Sequence, residues 1–227
     1  QSLISLLHEY GNQDEISAVF ITGAGDKAFC SGADLAGFPD GDSFLSIHHS
    51  RGKFAELLST IDEIRSPIIA LVNGDAYAGA LGIISACDIA ISVDTAMFGT
   101  PEIKRGLFPM MIMTSLFRTM SYKKVMEMIL LGEKFSAVLA KEYGLLNAIY
   151  PKEIYEKETN ELKKKFSLLS PAILKLGRNA AHRQKDMNYK EALTYLHTML
   201  TVNALTDDAA EGITAFLEKR EPNWKGK

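Results

Sequence analysis

Short apolar runs that end in glycine-rich turns recur along the first half of the chain. Three of them, at residues 17–22, 67–72 and 88–93, predict buried strands. Residues 42–65 and 79–87 lie between these runs, and their spacing of apolar or small positions predicts helices. Strands that alternate with helices indicate parallel strands, joined by crossover connections and buried on both faces. The first half is therefore predicted to be an α/β structure.

After about Pro109 the pattern becomes helical. Ser136 is predicted to cap one helix and Gly144 to follow its end in a left-handed conformation, and residues 145–150 predict one more short strand. The predicted helices are residues 122–131, 136–143, 152–169, 171–184, 189–205 and 207–219. We therefore predict an α/β core at residues 1–108 and, at residues 109–227, a helical region for packing and oligomerisation. Because no low-complexity linker divides the chain, this region is expected to pack on the first half or on a neighbouring subunit.

Composition excludes several classes of protein. The chain has 227 residues, of which 47% are hydrophobic and 23% charged, and these values are typical of a globular protein. Its net charge of −3 provides no field that would recruit nucleic acid or an anionic membrane. The apolar runs are shorter than the roughly 18 residues that a membrane span requires. We therefore expect neither nucleic acid nor membrane as a partner.

The cysteines and the start of the chain bear on its location. Cys30 and Cys87 each lie in an apolar stretch, and two cysteines cannot staple a chain of this length, so a reduced compartment is expected. We expect a cytoplasmic protein, or a mitochondrial or peroxisomal one if its source is eukaryotic. The first ten residues carry no signal-peptide pattern. They begin without Met in a helical pattern, which predicts that an N-terminal piece precedes them.

Residues 27–35, with the sequence KAFCSGADL, form the first candidate segment for catalysis or ligand binding. They follow a predicted strand and its turn, and their small side chains would let a ligand approach the backbone closely. Such a turn can direct backbone N–H groups into a cleft, and Asp34 could cap a following helix. When this segment is considered alone, a tight strand-to-helix turn with a capping Asp is the better interpretation.

Residues 72–82, with the sequence VNGDAYAGALG, form the second segment. Here a strand leads into small residues that open an apolar helix, so unpaired N–H groups gather at the positive end of the helix dipole. This arrangement is suited to stabilising a developing oxyanion. Close packing of strand on helix would also require Gly and Ala. The spacing of Gly74, Gly79 and Gly82 does not match a dinucleotide-binding fingerprint.

Residues 98–109, with the sequence FGTPEIKRGLFP, form the third segment. Glu102 lies in an otherwise apolar loop that Gly and Pro punctuate. If this carboxyl is buried, desolvation raises its pKa toward the range useful for proton transfer. The alternative is a solvent-facing ion pair with Lys104 or Arg105.

Together, the order, spacing and flanking strands of these three segments resemble the crotonase (enoyl-CoA hydratase/isomerase) superfamily. The resemblance covers nearly the whole chain, and residues 211–220 resemble the C-terminal helix of that family. It implies an α/β fold, a crotonase-like ββα spiral core with a C-terminal helical region, whose first strands would precede this sequence. It also implies an acyl-CoA substrate and a homo-trimer or hexamer. No separate cofactor is implied, because coenzyme A is part of the substrate.

The resemblance assigns roles to particular residues. It implies that the backbone N–H groups of Ala33 and Gly79 form an oxyanion hole that polarises the thioester oxygen. The coenzyme A moiety would contact two groups of residues, one in the first segment and one in the tail, where the coenzyme is bound to a neighbouring subunit. These residues are Lys27, Phe29, Ser31 and Ala33, and then Phe216 and Lys219.

The sequence departs from the family pattern in its acidic residues. Hydratases of the family use two glutamates; one aligns with Glu102, and the other aligns with Gly82, which has no side chain. A site with one carboxylate resembles the Δ3–Δ2 enoyl-CoA isomerases, in which a single Glu takes a proton from one carbon and returns it to another. Asp75 is the nearest other acidic residue, but it lies where a strand ends, and we do not expect it to replace the second glutamate.

Three functions therefore remain open: a hydratase/isomerase-type enzyme with Glu102 as acid/base, a Δ3–Δ2 isomerase specifically, and a catalytically weak acyl-CoA-binding protein. The methionines at positions 110, 111 and 113 would give the acyl pocket an adaptable apolar wall or start a helix packed into the core. The five histidines have no ligand-like spacing apart from the adjacent pair His48 and His49, so no metal site is expected.

Overall fold

The computed structural model describes residues 2–32 and 43–227, so the predictions for Ala33 and Asp34 lie outside the described residues. The strands in these ranges are β1 (Val19–Thr22), β2 (Ala28–Cys30), β3 (Ile68–Val72), β4 (Asp75–Tyr77), β5 (Ile89–Val93), β6 (Met97–Gly99), β7 (Phe135–Ser136) and β8 (Ala148–Tyr150). The α-helices are α1 (Ser2–Tyr10), α2 (Phe44–Glu63), α3 (Gly79–Ala86), α4 (Met113–Thr119), α5 (Tyr122–Leu131), α6 (Ala137–Glu142), α7 (Lys152–Ser167), α8 (Pro171–Arg183), α9 (Tyr189–Ala204) and α10 (Asp207–Glu218). Short 3-10 helices form at Pro101–Arg105 and Gln184–Asp186.

The first sheet is parallel and has the strand order β1-β3-β5-β8. All five residues of β3 are buried, which agrees with the apolar run that predicted this strand. The strands predicted at residues 17–22, 67–72, 88–93 and 145–150 are thus confirmed and form one sheet. Their ends are shortened by one to three residues because pairing with a neighbour, rather than composition, determines where a strand begins.

The second sheet is smaller and has the order β2-β4-β6-β7. Pairing is parallel from β2 to β6, and β7 closes the sheet in the antiparallel direction. Strands β2, β4 and β6 each have three residues. The first two lie within the first and second candidate segments, and β6 leads into the third. The segments that the sequence presents as loops are therefore held in register by a sheet, and their carboxyl ends lie at the same edge.

Helix α3 packs in the core behind these strands. Its residues from Ala80 to Ser85 are all buried, because Gly and Ala allow close approach and the isoleucines and leucine fill the space around them. Strands β7 and β8, both from the helical second half, complete the two sheets. The helical half is therefore packed on the α/β half through shared sheets. No helix within the described ranges is long and apolar enough to cross a bilayer.

The predicted helix signals in the second half are present. Ser136 caps α6, and its Oγ accepts a hydrogen bond from the Leu139 N–H. Gly144 has φ +88°, the left-handed conformation expected after the end of that helix.

A charge network around the buried Arg178 fixes α8 to the rest of the core. Arg178 is 7% exposed, and it donates to the Asp88 carboxylate at 2.6 Å and to the Ile61 carbonyl at 2.7 Å, at the last turn of α2. Asp88 also accepts hydrogen bonds from the Ile68 N–H and from the His182 ring, at 2.7 and 2.8 Å. One guanidinium thus satisfies carbonyl groups that the end of α2 leaves without partners.

Candidate active site

Strands β4 and β6 bring the second and third segments together. Tyr77 pairs with Gly99, and the Ala78 N–H donates to the Gly99 carbonyl at 2.9 Å. Gly79 and Glu102 follow these paired residues within a few positions. Because paired parallel strands end at the same edge, the start of α3 and the Glu102 helix belong to the same part of the molecule.

The first segment is fixed against the second at two points. A Cβ at Gly74 would lie 2.5 Å from the Lys27 carbonyl oxygen, so only glycine permits this approach. Gly32 has φ +101°, and a Cβ there would lie 3.1 Å from the Ala78 Cβ. The residues immediately before the predicted oxyanion donors, Gly32 before Ala33 and Ala78 before Gly79, are therefore in contact with each other.

The Asn73 side chain makes further hydrogen bonds between segments, and sequence analysis did not identify this residue. Its carboxamide accepts from the Gly23 N–H and donates to the carbonyls of Gly23 and Gly25, at 3.0, 3.0 and 2.7 Å. It joins the turn after β1 to the turn after β3. An Asn directly before a Gly at the end of a strand was the sequence signal that could have identified it. Its partners are about 50 residues away in sequence, so only the fold shows which groups it contacts.

The backbone turns sharply at Ala78, just before α3 begins. Ala78 has φ 56° and ψ −124°, a conformation that L-residues rarely adopt and that costs on the order of 1–3 kcal/mol. No side chain caps the helix start, and among the described residues the Gly79 N–H has no hydrogen-bond acceptor. An unpaired N–H at the positive end of a helix dipole is suited to receiving a negatively charged oxygen. The Gly79 N–H is thus available to a ligand in the described part of the chain, and its role as an oxyanion donor stays a prediction.

Glu102 lies in the second position of the 3-10 helix Pro101–Arg105. Its Oε2 atom is buried and has no hydrogen-bond partner in the part of the chain that the structure describes. Burial raises the pKa of this carboxyl above its usual value, and the opposing effects of its own backbone N–H and the Arg105 charge are smaller. Lys104 and Arg105 are exposed, so a solvent-facing ion pair does not account for the buried oxygen. A half-buried carboxyl with an unsatisfied oxygen and a raised pKa is typical of a proton-transfer group.

Asp75 is engaged in structural hydrogen bonds. Its carboxylate accepts from the Met97 N–H at 2.9 Å and from the Tyr77 hydroxyl at 3.0 Å. It therefore fixes the start of β6 against β4. Since each oxygen accepts one of these structural hydrogen bonds, the side chain has a structural role that accounts for its presence between the two strands.

The predicted coenzyme A contacts lie in different environments. Lys27 and Ser31 are exposed, whereas the Phe29 side chain is 8% exposed and belongs to the core, so it leaves only its backbone for a ligand. Phe216 is 81% exposed on α10, and Lys219 follows at the left-handed end of this helix. The two tail residues thus present a free surface in this single chain.

The structure gives the remaining candidates no catalytic setting. His48 and His49 are exposed on α2, where His48 stacks on Phe44. Within residues 2–32 and 43–227, no group of three His, Cys, Asp or Glu side chains is placed to hold a metal ion. Met110 and Met111 are exposed at 64% and 37%, beyond the buried Pro109.

The paired strands β4 and β6 thus lead, respectively, into the start of α3, where the Gly79 N–H has no acceptor among the described residues, and into the half-buried Glu102. A free helix start and a partly buried carboxyl at one edge of a sheet are typical of an enzyme site in an α/β protein. The sequence profile of the family described as enoyl-CoA hydratase/isomerase matches residues 1–227. The chain is 33% identical over 226 residues to the mouse enoyl-CoA hydratase domain-containing protein 3, mitochondrial, with 96% of this chain and 72% of the relative covered.

Two further similarities agree with this match. The 2,3-dehydroadipyl-CoA hydratase of Escherichia coli is 29% identical over 226 residues, which cover 99% of this chain and 87% of that protein. The crystal structure of the enoyl-CoA hydratase from Bacillus anthracis superposes with a TM-score of 0.93 at 29% identity, covering 100% of this chain and 88% of that one. The chain belongs to the enoyl-CoA hydratase/isomerase family, and the predicted crotonase-like fold is confirmed.

Proposed function

We propose that the protein catalyses proton transfer on an acyl-CoA thioester, with Glu102 as the acid/base. The Gly79 N–H, together with the Ala33 N–H that the family resemblance assigns, holds the thioester oxygen as it becomes enolate-like. Each such donor contributes about 2.7–4 kcal/mol to transition-state stabilisation in enzymes of comparable design. The observation that carries this proposal is the buried Oε2 of Glu102, which has no hydrogen-bond partner among residues 2–32 and 43–227.

A single carboxyl favours double-bond migration from position 3 to position 2 of an enoyl-CoA. The ionised Glu102 takes a proton from carbon 2, and the electron pair of that C–H bond moves toward the thioester oxygen. The protonated Glu102 then gives the proton to carbon 4 as the C2=C3 bond forms and the C3=C4 bond is lost. The reaction needs no water and no second acid, which fits a site where position 82 is Gly and Asp75 has a structural role.

Hydration of a 2-enoyl-CoA is the second candidate, because relatives such as the Escherichia coli protein are named as hydratases. It requires a group that takes a proton from water while carbon 2 receives one. The two reactions are separated by supplying 2-enoyl-CoA and 3-enoyl-CoA in turn and following the absorbance of the conjugated thioester. We expect a gain of absorbance with the 3-enoyl substrate. Rapid loss with the 2-enoyl substrate and no change with the other would favour hydration and overturn the proposed isomerisation.

Binding and assembly follow from the same proposal. Phe216 and Lys219 lie exposed at the end of α10, which suits contact with a coenzyme A nucleotide held by a neighbouring copy in a homo-trimer or hexamer. The substrate brings its own coenzyme, so no separate cofactor is proposed. A cytoplasmic location, or a mitochondrial or peroxisomal one in a eukaryote, stays a prediction, and the mouse relative is named as mitochondrial.

A further inference from the structure

Gly79 and Gly82 lie one turn apart on α3, and each is covered by an apolar side chain from another element. A Cβ at Gly79 would lie 3.1 Å from the Phe54 ring, and the ring belongs to α2. A Cβ at Gly82 would lie 2.4 Å from the Ile112 Cγ2 and 2.9 Å from its Cβ. The contact at Gly79 is tight, whereas the one at Gly82 is impossible without movement of Ile112. Position 82 is therefore already filled, by the side chain of another residue.

Ile112 is held in this place and has little room to move. It is 3% exposed, and its carbonyl accepts from the Leu116 N–H at 3.0 Å as α4 begins. The Ser115 hydroxyl contacts the carbonyls of both Ile112 and Gly82, at 3.3 and 3.2 Å. The Ser85 hydroxyl lies 3.1 Å from the same Gly82 carbonyl. These contacts fix the start of α4 against α3, so the branched side chain of Ile112 cannot withdraw without disturbing both helices.

We propose that Ile112 is a specificity-determining residue that excludes a second carboxyl from position 82 and so restricts the site to one-carboxyl chemistry. This inference rests on the proposed function. Hydration needs a base for the water molecule beside the group that moves the proton at carbon 2, and the methyl groups of Ile112 can neither accept a proton nor orient water. The absence of the second acid is therefore maintained by packing, and replacing Gly82 alone does not restore it.

Paired substitutions test this proposal. Gly82→Glu alone places a Cβ against Ile112, and we expect it to lower the thermal midpoint and give little hydration. Adding Ile112→Gly removes the Cβ and Cγ2 atoms that the new side chain at position 82 would meet. Adding Ile112→Val keeps the Cβ and its branch, so the steric conflict remains. We expect Gly82→Glu/Ile112→Gly to hydrate 2-enoyl-CoA on the order of 10²-fold faster than Gly82→Gln/Ile112→Gly, which has the same shape without the base. The Val pairing should behave like Gly82→Glu alone.

These experiments test the role of Ile112 independently of whether the wild-type protein isomerises 3-enoyl-CoA. If Gly82→Glu alone is as stable as the wild type and hydrates as fast as the double variant, Ile112 excludes nothing and the proposal is overturned. A folded double variant that binds a CoA thioester but hydrates no faster than its Gln counterpart also overturns it. Failure of the wild type to isomerise 3-enoyl-CoA would contradict the proposed function, while the comparison between the Gly and Val pairings would still report on Ile112.

Discussion

Gly32 and Ala78 lie against each other, and both have a positive φ, +101° and 56°. A Cβ added to Gly32 would come within 3.1 Å of the Ala78 Cβ. Gly32 directly precedes Ala33, and Ala78 directly precedes Gly79. This contact therefore sets the spacing between the two chain segments that are proposed to supply the oxyanion donors.

Gly32→Ala should impair catalysis more than stability. The new methyl group pushes the first segment away from Ala78, and a misplaced oxyanion donor costs roughly 10²–10³ in kcat. Gly25→Ala is the matched control, since Gly25 also has a positive φ, +75°, but a Cβ there would meet nothing within 4 Å. We expect both variants to lose thermal stability from the positive φ, Gly32→Ala more because of the added contact, and only Gly32→Ala to lose turnover per folded molecule. Equal turnover in the two variants would contradict the role of this contact.

Ala78→Gly should relieve backbone strain. The conformation at Ala78 is accessible to glycine without steric cost, so the folded state should gain part of the roughly 1–3 kcal/mol that the strain costs, less about 0.5–1 kcal/mol of added chain entropy. Chemical unfolding measures the difference. We expect kcat to fall, because a glycine before Gly79 holds the direction of its N–H less firmly. A clear loss of stability would show that the turn at Ala78 carries no strain.

Asp75→Ala should lower stability and leave the chemistry of the folded protein largely intact. The substitution removes the acceptor for the Met97 N–H and the Tyr77 hydroxyl, and leaving such partners unpaired costs about 1–3 kcal/mol. Asp26→Ala, at an exposed aspartate, is the control. Turnover measured per folded molecule should stay within a few-fold. Complete loss of turnover in a folded Asp75→Ala protein would instead indicate a catalytic acid.

The Asp88 network should make stability depend on pH in acid. Burial by itself would raise the pKa of Asp88, but the hydrogen bond from His182 and the charge and hydrogen bond of Arg178 outweigh it and hold that pKa below 3.8. A carboxyl with a lowered pKa stabilises the folded state above its ordinary pKa, and this contribution is lost as the pH falls through the folded value.

Urea unfolding of wild type and Asp88→Asn between pH 7 and pH 3 tests this. At pH 7 the free energy of unfolding of the variant should be about 3 kcal/mol lower than that of the wild type, because the buried Arg178 is left without its counter-charge. This difference between the two proteins should become smaller as the pH approaches 3. Asp94→Asn, at an exposed aspartate, should follow the wild type throughout. A gap that stays constant with pH would contradict the assignment to Asp88.

Sequence patterns predicted most helices because these are long enough to show a period. They predicted the first sheet because its strands lie in mostly apolar stretches of six residues, even where only three residues pair, as in β8. The second sheet was missed because the three-residue strands β2, β4 and β6 lie beside small residues and glycines, and their extended conformation comes from pairing with distant strands. Helix α4 was not separated from the methionine-rich run before it for a similar reason.

In the candidate site, too, some features could be predicted from the sequence and others depend on the fold. The sequence pointed to Glu102, but neighbouring Lys104 and Arg105 left its burial undecided, and only packing shows that its Oε2 is covered. The missing acid at Gly82 followed from the family resemblance. That Ile112 fills the vacated volume depends on how α4 packs on α3, and no local pattern reports such a contact.

The role of Glu102 is tested most directly by the turnover of 3-enoyl-CoA in the Glu102→Gln variant, with Glu142→Gln at an exposed position as control. The Gln side chain keeps the shape but cannot carry a proton, so we predict a loss on the order of 10²–10⁴-fold in kcat with thioester affinity nearly unchanged. Since burial raises the pKa of Glu102, its ionised form is disfavoured in the folded state, and the variant should be at least as stable as the wild type at pH 7. Wild-type turnover in Glu102→Gln would contradict the account.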